Sequence, residues 1–128
     1  HWTGPAGSAA TIKLIVNALF AIQVESLAEL LAYAGRRGLD TAGVRALIGE
    51  LPVASPAAMA AAEAMLERRY EPRFPLRLLA KDLRYLLAQG PAPLAEAVRA
   101  SAERLVAAGH GRDDVVALAR PWLDPVRR

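Results

Sequence analysis

The chain contains no cysteine among its 128 residues, and histidine occurs only as His1 and His110. Without cysteine the protein can form neither a disulfide framework nor a thiolate metal site. Two histidines far apart in the sequence leave almost no material for a histidine metal site or a catalytic triad. The absence of cysteine also favours a cytoplasmic location.

Lysine is nearly absent as well, since Lys13 and Lys81 are the only lysines among 16 Lys and Arg residues. An arginine side chain stays protonated in a protein, whereas a desolvated lysine can lose its proton. Each lysine lies in a short polar motif within an Ala-rich or Leu-rich stretch. Two interpretations are open: the motifs need lysine chemistry, or the lysines remain by chance on solvated helix faces.

Aromatic residues are only 5% of the chain, although hydrophobic residues are 54%, because Ala and Leu supply most of the apolar content. Both are strong helix formers, so the composition predicts an all-α protein with a single domain over residues 1–128. The net charge is +3, and the arginines are scattered among acidic residues. No nucleic-acid partner is expected, because such partners bind clustered basic residues with interleaved aromatics.

Helical periodicity and capping signals predict about six helices packed around one long central helix. No segment alternates with period two, so no strand is expected. Asp40 and Ser55 are the predicted N-caps of the second and third helices, and Asp113 or Asp114 opens the sixth. The predicted helices cover residues 8–34, 41–48, 56–69, 76–89, 94–108 and 113–119.

The apolar run over residues 12–34 is long enough to raise the possibility of a membrane span. Asn17, Gln23, Glu25 and Glu29 interrupt it, and mid-helix carboxylates are costly in lipid. The run is therefore predicted to be a buried helix of a soluble domain, with no membrane partner. Glu25 and Glu29, four residues apart, are expected on a solvated face or at a partner contact.

Two polar pairs are candidates for chemistry. Lys13 and Asn17 are four residues apart on the long helix, so both project from the same face near its start. That pair offers a group able to transfer a proton and a group able to donate and accept hydrogen bonds. Lys81 and Asp82 are adjacent, point about 100° apart and should not pair with each other. For Lys13 and Asn17, the alternative is a lysine that extends into solvent at a helix end and an asparagine that binds the local backbone. For Lys81, the alternative is a position on a solvated stripe of basic side chains.

Three motifs resemble those of the β-hydroxyacid dehydrogenases, the family of 3-hydroxyisobutyrate dehydrogenase and tartronate semialdehyde reductase. GPAGSAATIKLIVN at residues 4–17 is similar to the family segment G-x-x-G-x-G-x-x-x-K-x-x-N-N. ELLAYAGRRGLD at residues 29–40 is similar to E-A-x-x-L-A-x-x-x-G-L-D, and FPLRLLAKDL at residues 74–83 to F-x-L-x-L-x-x-K-D-L. The motifs occur in the family's order over nearly all of the chain. Two positions depart from the pattern: Ala9 replaces the third glycine and Val16 the first asparagine.

The resemblance implies the fold of the family's helical C-terminal domain, which is like that of 6-phosphogluconate dehydrogenase. It implies that Lys13 is the catalytic lysine, which assists proton transfer at the substrate hydroxyl. Asn17 and Gly7 would bind the substrate. Lys81 would contact both substrate and nicotinamide, and Asp82 would stabilise the cofactor side.

The implied activity is that of an NAD(P)-dependent oxidoreductase that oxidises a small 3-hydroxy acid or reduces the semialdehyde. The Rossmann domain would lie outside this chain, in a full-length parent that binds NAD or NADP and forms a homodimer in the cytoplasm. The 128-residue chain alone is expected to be inactive and to bind neither cofactor tightly, because it lacks a phosphate-binding turn. The alternative is a stand-alone helical association module that has lost catalysis.

Overall fold

The computed structural model describes residues 4–124, so His1 lies outside the described part. Within it the only strand-like pairing is an isolated bridge between Pro75 and Asp114, and the all-α prediction is confirmed. A π-helical turn at Val106–His110 and a 3-10 helix at Val115–Ala119 connect the last two α-helices. The six α-helices are α1 (Ser8–Arg36), α2 (Thr41–Gly49), α3 (Pro56–Leu66), α4 (Leu76–Ala88), α5 (Pro93–Leu105) and α6 (Arg120–Leu123).

Helix α1 is the centre of the fold, and it contacts each of the other five α-helices and the 3-10 helix. Its buried face combines small side chains, which let neighbouring helices approach closely, with the larger Val24, Leu27 and Leu31. The first half of the helix is less covered, since Ile15, Val16 and Leu19 are more than half exposed. The predicted long central helix is therefore present, and its covered portion is the C-terminal part.

By length and composition α1 is also the one helix among residues 4–124 that could cross a membrane. Its polar residues instead make contacts inside the helical domain. Asn17 binds a side chain of α4, and the Gln23 Oε1 atom accepts a hydrogen bond from the Ser55 backbone N–H at 3.0 Å. These contacts are typical of the core helix of a helical bundle.

The predicted N-caps of two helices are confirmed. The Asp40 carboxylate accepts hydrogen bonds from the N–H groups at positions 42 and 43, and the Ser55 hydroxyl accepts one from the N–H at position 58. The end of α3 differs from the prediction, because the helix stops at Leu66 and Arg68 has φ 56°. Similarly, α5 ends at Leu105, and the π-helical turn then reaches Gly109, whose φ is 96°.

Asp114 determines how the connector between α3 and α4 runs. Its buried carboxylate accepts hydrogen bonds from the backbone N–H groups of Arg73, Phe74 and Val116 at 2.9, 2.8 and 3.0 Å. The sixth helix, predicted over residues 113–119, is instead a 3-10 helix at Val115–Ala119 with Asp114 as its N-cap, and α6 follows it at Arg120–Leu123. By fixing the residues immediately before α4, Asp114 also sets where Lys81 and Asp82 lie.

Helix α6 is held against the end of α3 by a polar cluster. The Tyr70 hydroxyl donates to Asp124 at 2.9 Å, and the Arg120 guanidinium lies over the Tyr70 ring at 4.0 Å from its centroid. Arg68 pairs with Asp124 at 3.1 Å. These contacts fix the position of Trp122, which lies in the same short helix.

Candidate functional site

The side chains of Asn17 and Asp82 meet where α1 crosses α4. The Asn17 Nδ2 group donates a hydrogen bond to the Asp82 Oδ2 atom at 3.0 Å, across 65 residues of sequence. Asp82 is buried, whereas Asn17 is half-buried and still reaches the surface. This contact joins the two segments that carry the candidate lysines.

Lys13 and Lys81 lie at the surface beside this contact. Lys13 is one helical turn before Asn17 on the same face of α1, and Lys81 directly precedes Asp82 on α4. Both side chains are exposed, and within residues 4–124 neither forms an ion pair. As the sequence predicted, Lys81 and Asp82 do not pair with each other. Two lysines without an ion-pair partner in the described part of the chain therefore lie on the same two helices as the fixed amide.

The hydrogen bond to Asp82 determines which way the Asn17 amide is turned. An ionised carboxylate only accepts hydrogen bonds, so the amide nitrogen and not its oxygen must face Asp82. The Asn17 Oδ1 atom and the second N–H are then left for a ligand. Asp82 thus fixes the orientation of the Asn17 amide, and a contact between Asp82 and the cofactor stays a prediction.

Gly7 is the N-cap residue of α1 and has φ 91°, in the left-handed region that favours glycine. Apart from its chain neighbours, no atom of the described residues 4–124 lies within 4 Å of the place where a Cβ would stand, so the requirement for glycine comes from the backbone conformation. Substrate contact by Gly7 stays a prediction.

The expectation that Glu25 lies on a solvated face is wrong, although Glu29 is exposed as predicted. Glu25 is 7% exposed, and burial raises the pKa of its carboxyl group. One signal in the sequence could have shown this. Ala18 and Ala32 lie seven residues before and after Glu25, so the three share one stripe of α1, and both alanines are buried.

The fold and the site define a class of helical domain with one long central helix and an open polar site at its N-terminal end. A family model described as “NAD-binding of NADP-dependent 3-hydroxyisobutyrate dehydrogenase” matches residues 7–122. The chain therefore belongs to this family, within the β-hydroxyacid dehydrogenases. No curated protein sequence matches the chain significantly.

Solved structures share the fold. The chain is similar to 3-hydroxyisobutyrate dehydrogenase from Salmonella typhimurium, with 24% identity and a TM-score of 0.78 over 91% of this chain and 42% of that protein. It is also similar to the Mycobacterium tuberculosis 3-hydroxyisobutyrate dehydrogenase with L-serine, with 23% identity and a TM-score of 0.74 over 91% of this chain and 43% of that one. The chain thus spans less than half the length of either enzyme.

Proposed function

We propose that this chain is the substrate-side helical domain of an NAD(P)-dependent β-hydroxyacid dehydrogenase that acts in the cytoplasm on a small 3-hydroxy acid. It would work with a Rossmann domain outside the 128 residues. The observation that carries this proposal is the contact between Asn17 and Asp82, which presents a fixed amide beside the unpaired Lys13 and Lys81. Family membership supports the same reading.

The residues described here fit one end of a nicotinamide cofactor. Lys81 is exposed, and the buried Asp82 beside it fixes the neighbouring amide. Residues 4–124 contain no sheet with the glycine-rich turn that holds a pyrophosphate, so most contacts to NAD or NADP would come from the second domain. The bound nicotinamide supplies the hydride acceptor. Because the second domain would provide most of the cofactor contacts, we expect the chain alone to be inactive and to bind neither cofactor tightly.

The proposed mechanism assigns one role to each side chain. Lys81 attracts the carboxylate of the substrate, and Asn17 donates to and accepts from its polar groups, which orients the hydroxyl-bearing carbon. During oxidation the O–H bond breaks and its proton passes to the Nζ atom of Lys13, while the C–H bond of the same carbon breaks and its hydride leaves for the acceptor that a bound nicotinamide would supply. In the reverse reaction the same group returns the proton to the alkoxide oxygen.

A second candidate function is an association module without catalysis. Ile15, Val16 and Leu19 form an exposed apolar surface on the first half of α1, which suits association with another protein surface. The same surface also suits docking of a Rossmann domain. A pure association module has no need for Lys13 and Asn17 at the adjacent face, so the enzyme reading accounts for more of the site.

A turnover assay on the full-length parent separates the two functions. We expect reduction of NAD or NADP, followed by absorbance, with at least one small 3-hydroxy acid from a panel that includes 3-hydroxyisobutyrate, glycerate and serine. Matched 2-hydroxy acids serve as controls, because they place the hydroxyl one carbon nearer the carboxylate. If the folded parent binds a cofactor but oxidises no acid in the panel, the association module becomes the better account.

A further inference from the structure

The uncovered side of α1 carries side chains that recur at alternating intervals of three and four residues. This is the spacing of the a and d positions in a two-stranded coiled coil, where one helix packs against another. None of these side chains is charged, and together they extend about 26 Å along the helix. We call them the α1 seam: Val16, Leu19, Leu30 and Tyr33, each more than half exposed, with the exposed Ser26 and the half-buried Gln23.

The two polar residues of the α1 seam lie at its centre, and the apolar residues lie at its two ends. Gln23 and Ser26 have two apolar seam residues before them and two after them. The order of apolar and polar positions is therefore the same in both directions along the helix. An interface around a two-fold axis brings the same surface of two copies together, so it requires a self-complementary pattern of this kind.

One antiparallel register of two α1 helices matches apolar residues with apolar ones and polar residues with polar ones. In this register Leu19 faces Leu30 of the second copy, Val16 faces Tyr33, and Gln23 faces Ser26. A shift by one heptad would instead set Leu19 against Gln23, or Leu30 against Ser26, and would bury a polar group beside an apolar one. A polar pair within an apolar seam specifies the register in coiled coils.

The hydrogen bond that Gln23 already forms leaves the right groups for this pairing. Its Oε1 atom accepts from the Ser55 backbone N–H at 3.0 Å, so the amide nitrogen is the group left to donate. A serine hydroxyl accepts such a hydrogen bond. Gln23 of one copy can therefore donate to Ser26 of the other without losing its contact with α3.

The charges at the end of α1 favour the antiparallel direction. Arg37 follows α1 directly, is exposed, and occupies the a position seven residues after Leu30. A parallel pair would place the two Arg37 side chains opposite each other and would align the two helix dipoles, and both effects are repulsive. An antiparallel pair keeps the two arginines at opposite ends.

We propose that the α1 seam binds the α1 seam of a second copy of this chain, as an antiparallel helix pair. The two-fold axis crosses each helix between positions 24 and 25. This assignment specifies the surface, the direction and the register through which two copies associate. It does not depend on the proposed dehydrogenase reaction, because neither Lys13 nor Asn17 is a seam residue.

The absence of cysteine from the chain makes cross-linking between single-cysteine variants a clean test of the register. Leu19→Cys and Leu30→Cys are mixed, and their thiols are joined by oxidation or by a short bismaleimide. We expect a covalent dimer in the mixture and not with either variant alone, because Leu19 faces Leu30 of the second copy. Leu47→Cys, on α2 and more than half exposed, is the control and should not be cross-linked to Leu19→Cys.

Sedimentation velocity of the 128-residue chain tests the surface itself. Leu19→Glu should raise the dissociation constant of the dimer by ~10²-fold or more, because it buries an unpaired charge in both copies. Leu47→Glu is the matched control and should associate as the wild type does. Both leucines are more than half exposed, so both variants should keep the helical circular dichroism of the wild type.

Each other outcome of these experiments would overturn the proposal. A wild-type chain that stays monomeric would assign the α1 seam to the Rossmann domain or to a different protein. Cross-linking of Leu19→Cys with itself would show a parallel pair. A dimer that is not cross-linked in the mixture, or that tolerates Leu19→Glu, would associate through another surface.

Discussion

At the scale of single residues, Asn17 and Asp82 show which features of the site could be predicted from the sequence and which could not. The spacing of Lys13 and Asn17 predicts a shared helix face, and the structure places both on α1 accordingly. The partner of Asp82 could not be predicted, because the hydrogen bond to Asn17 joins positions 65 residues apart. Only the packing of α4 on α1 creates it.

A double-mutant cycle on the 128-residue chain measures this contact. Asn17→Ala and Asp82→Ala should each lower the free energy of unfolding, and the coupling between them should be about 1–3 kcal/mol, as for a partly buried hydrogen bond to a charged group. Urea unfolding of the four proteins gives this value. Additive effects would mean that the two side chains do not interact in solution.

The buried carboxyl group of Glu25 leads to a prediction about how the free energy of unfolding depends on pH. Because burial raises its pKa from the usual 4.5, ionisation of Glu25 costs stability in the folded state. The folded protein then binds more protons than the unfolded one between the two pKa values, so this residue's contribution falls as pH rises through that range. Glu25→Gln should therefore raise the free energy of unfolding near pH 7 and give no such gain near pH 4. Equal gains at both values in denaturant titrations would contradict the assignment.

At the scale of elements, local capping signals predict where α2 and α3 begin, whereas a tertiary contact helps to decide where α3 ends. Asp40 and Ser55 are N-caps because a short polar side chain can bind nearby N–H groups, which is a local property. The end of α3 is different, since the Arg68 guanidinium donates to the carbonyls of Leu66 and Leu123 as well as Met65. Helical periodicity contains no information about Leu123.

The hydrogen bonds that Asp114 accepts lead to a prediction about the stability of the fold. Asp114→Ala would leave three backbone N–H groups without their acceptor, and it should lower the free energy of unfolding by about 3 kcal/mol. Asp40→Ala, which removes an exposed N-cap, is the matched comparison and should cost about 1 kcal/mol. Chemical denaturation measures both. Equal losses of unfolding free energy in the two variants would show that Asp114 stabilises the fold no more than an ordinary N-cap does.

At the scale of the whole molecule, helix α1 leaves several large apolar side chains exposed. Ile15, Val16, Leu19 and Leu30 are all more than half exposed. Composition and hydropathy predicted a helix apolar on several faces, but they could not show which faces the other helices leave uncovered. That distribution depends on the packing of all six helices.

This surface leads us to expect a two-fold dimer that buries at least ~1,000 Å² in total. Sedimentation velocity over a range of concentrations measures the association directly. Leu30→Glu should shift the equilibrium toward monomer if that part of α1 lies in the interface, because a buried unpaired charge is unfavourable. A wild-type chain that stays monomeric at high concentration would contradict the expected dimer.

The most direct test of the proposed dehydrogenase role is the turnover of the full-length parent after substitution of Lys13. Lys13→Ala should lower kcat by ~10²-fold or more, the scale for a positioned acid or base, while the fold is kept. Lys13→Arg should restore little, because a guanidinium does not give up its proton. Asn17→Ala, as a comparison, should act mainly on KM. Near-normal kcat for Lys13→Ala with every 3-hydroxy acid that the wild type oxidises would contradict the assignment of Lys13.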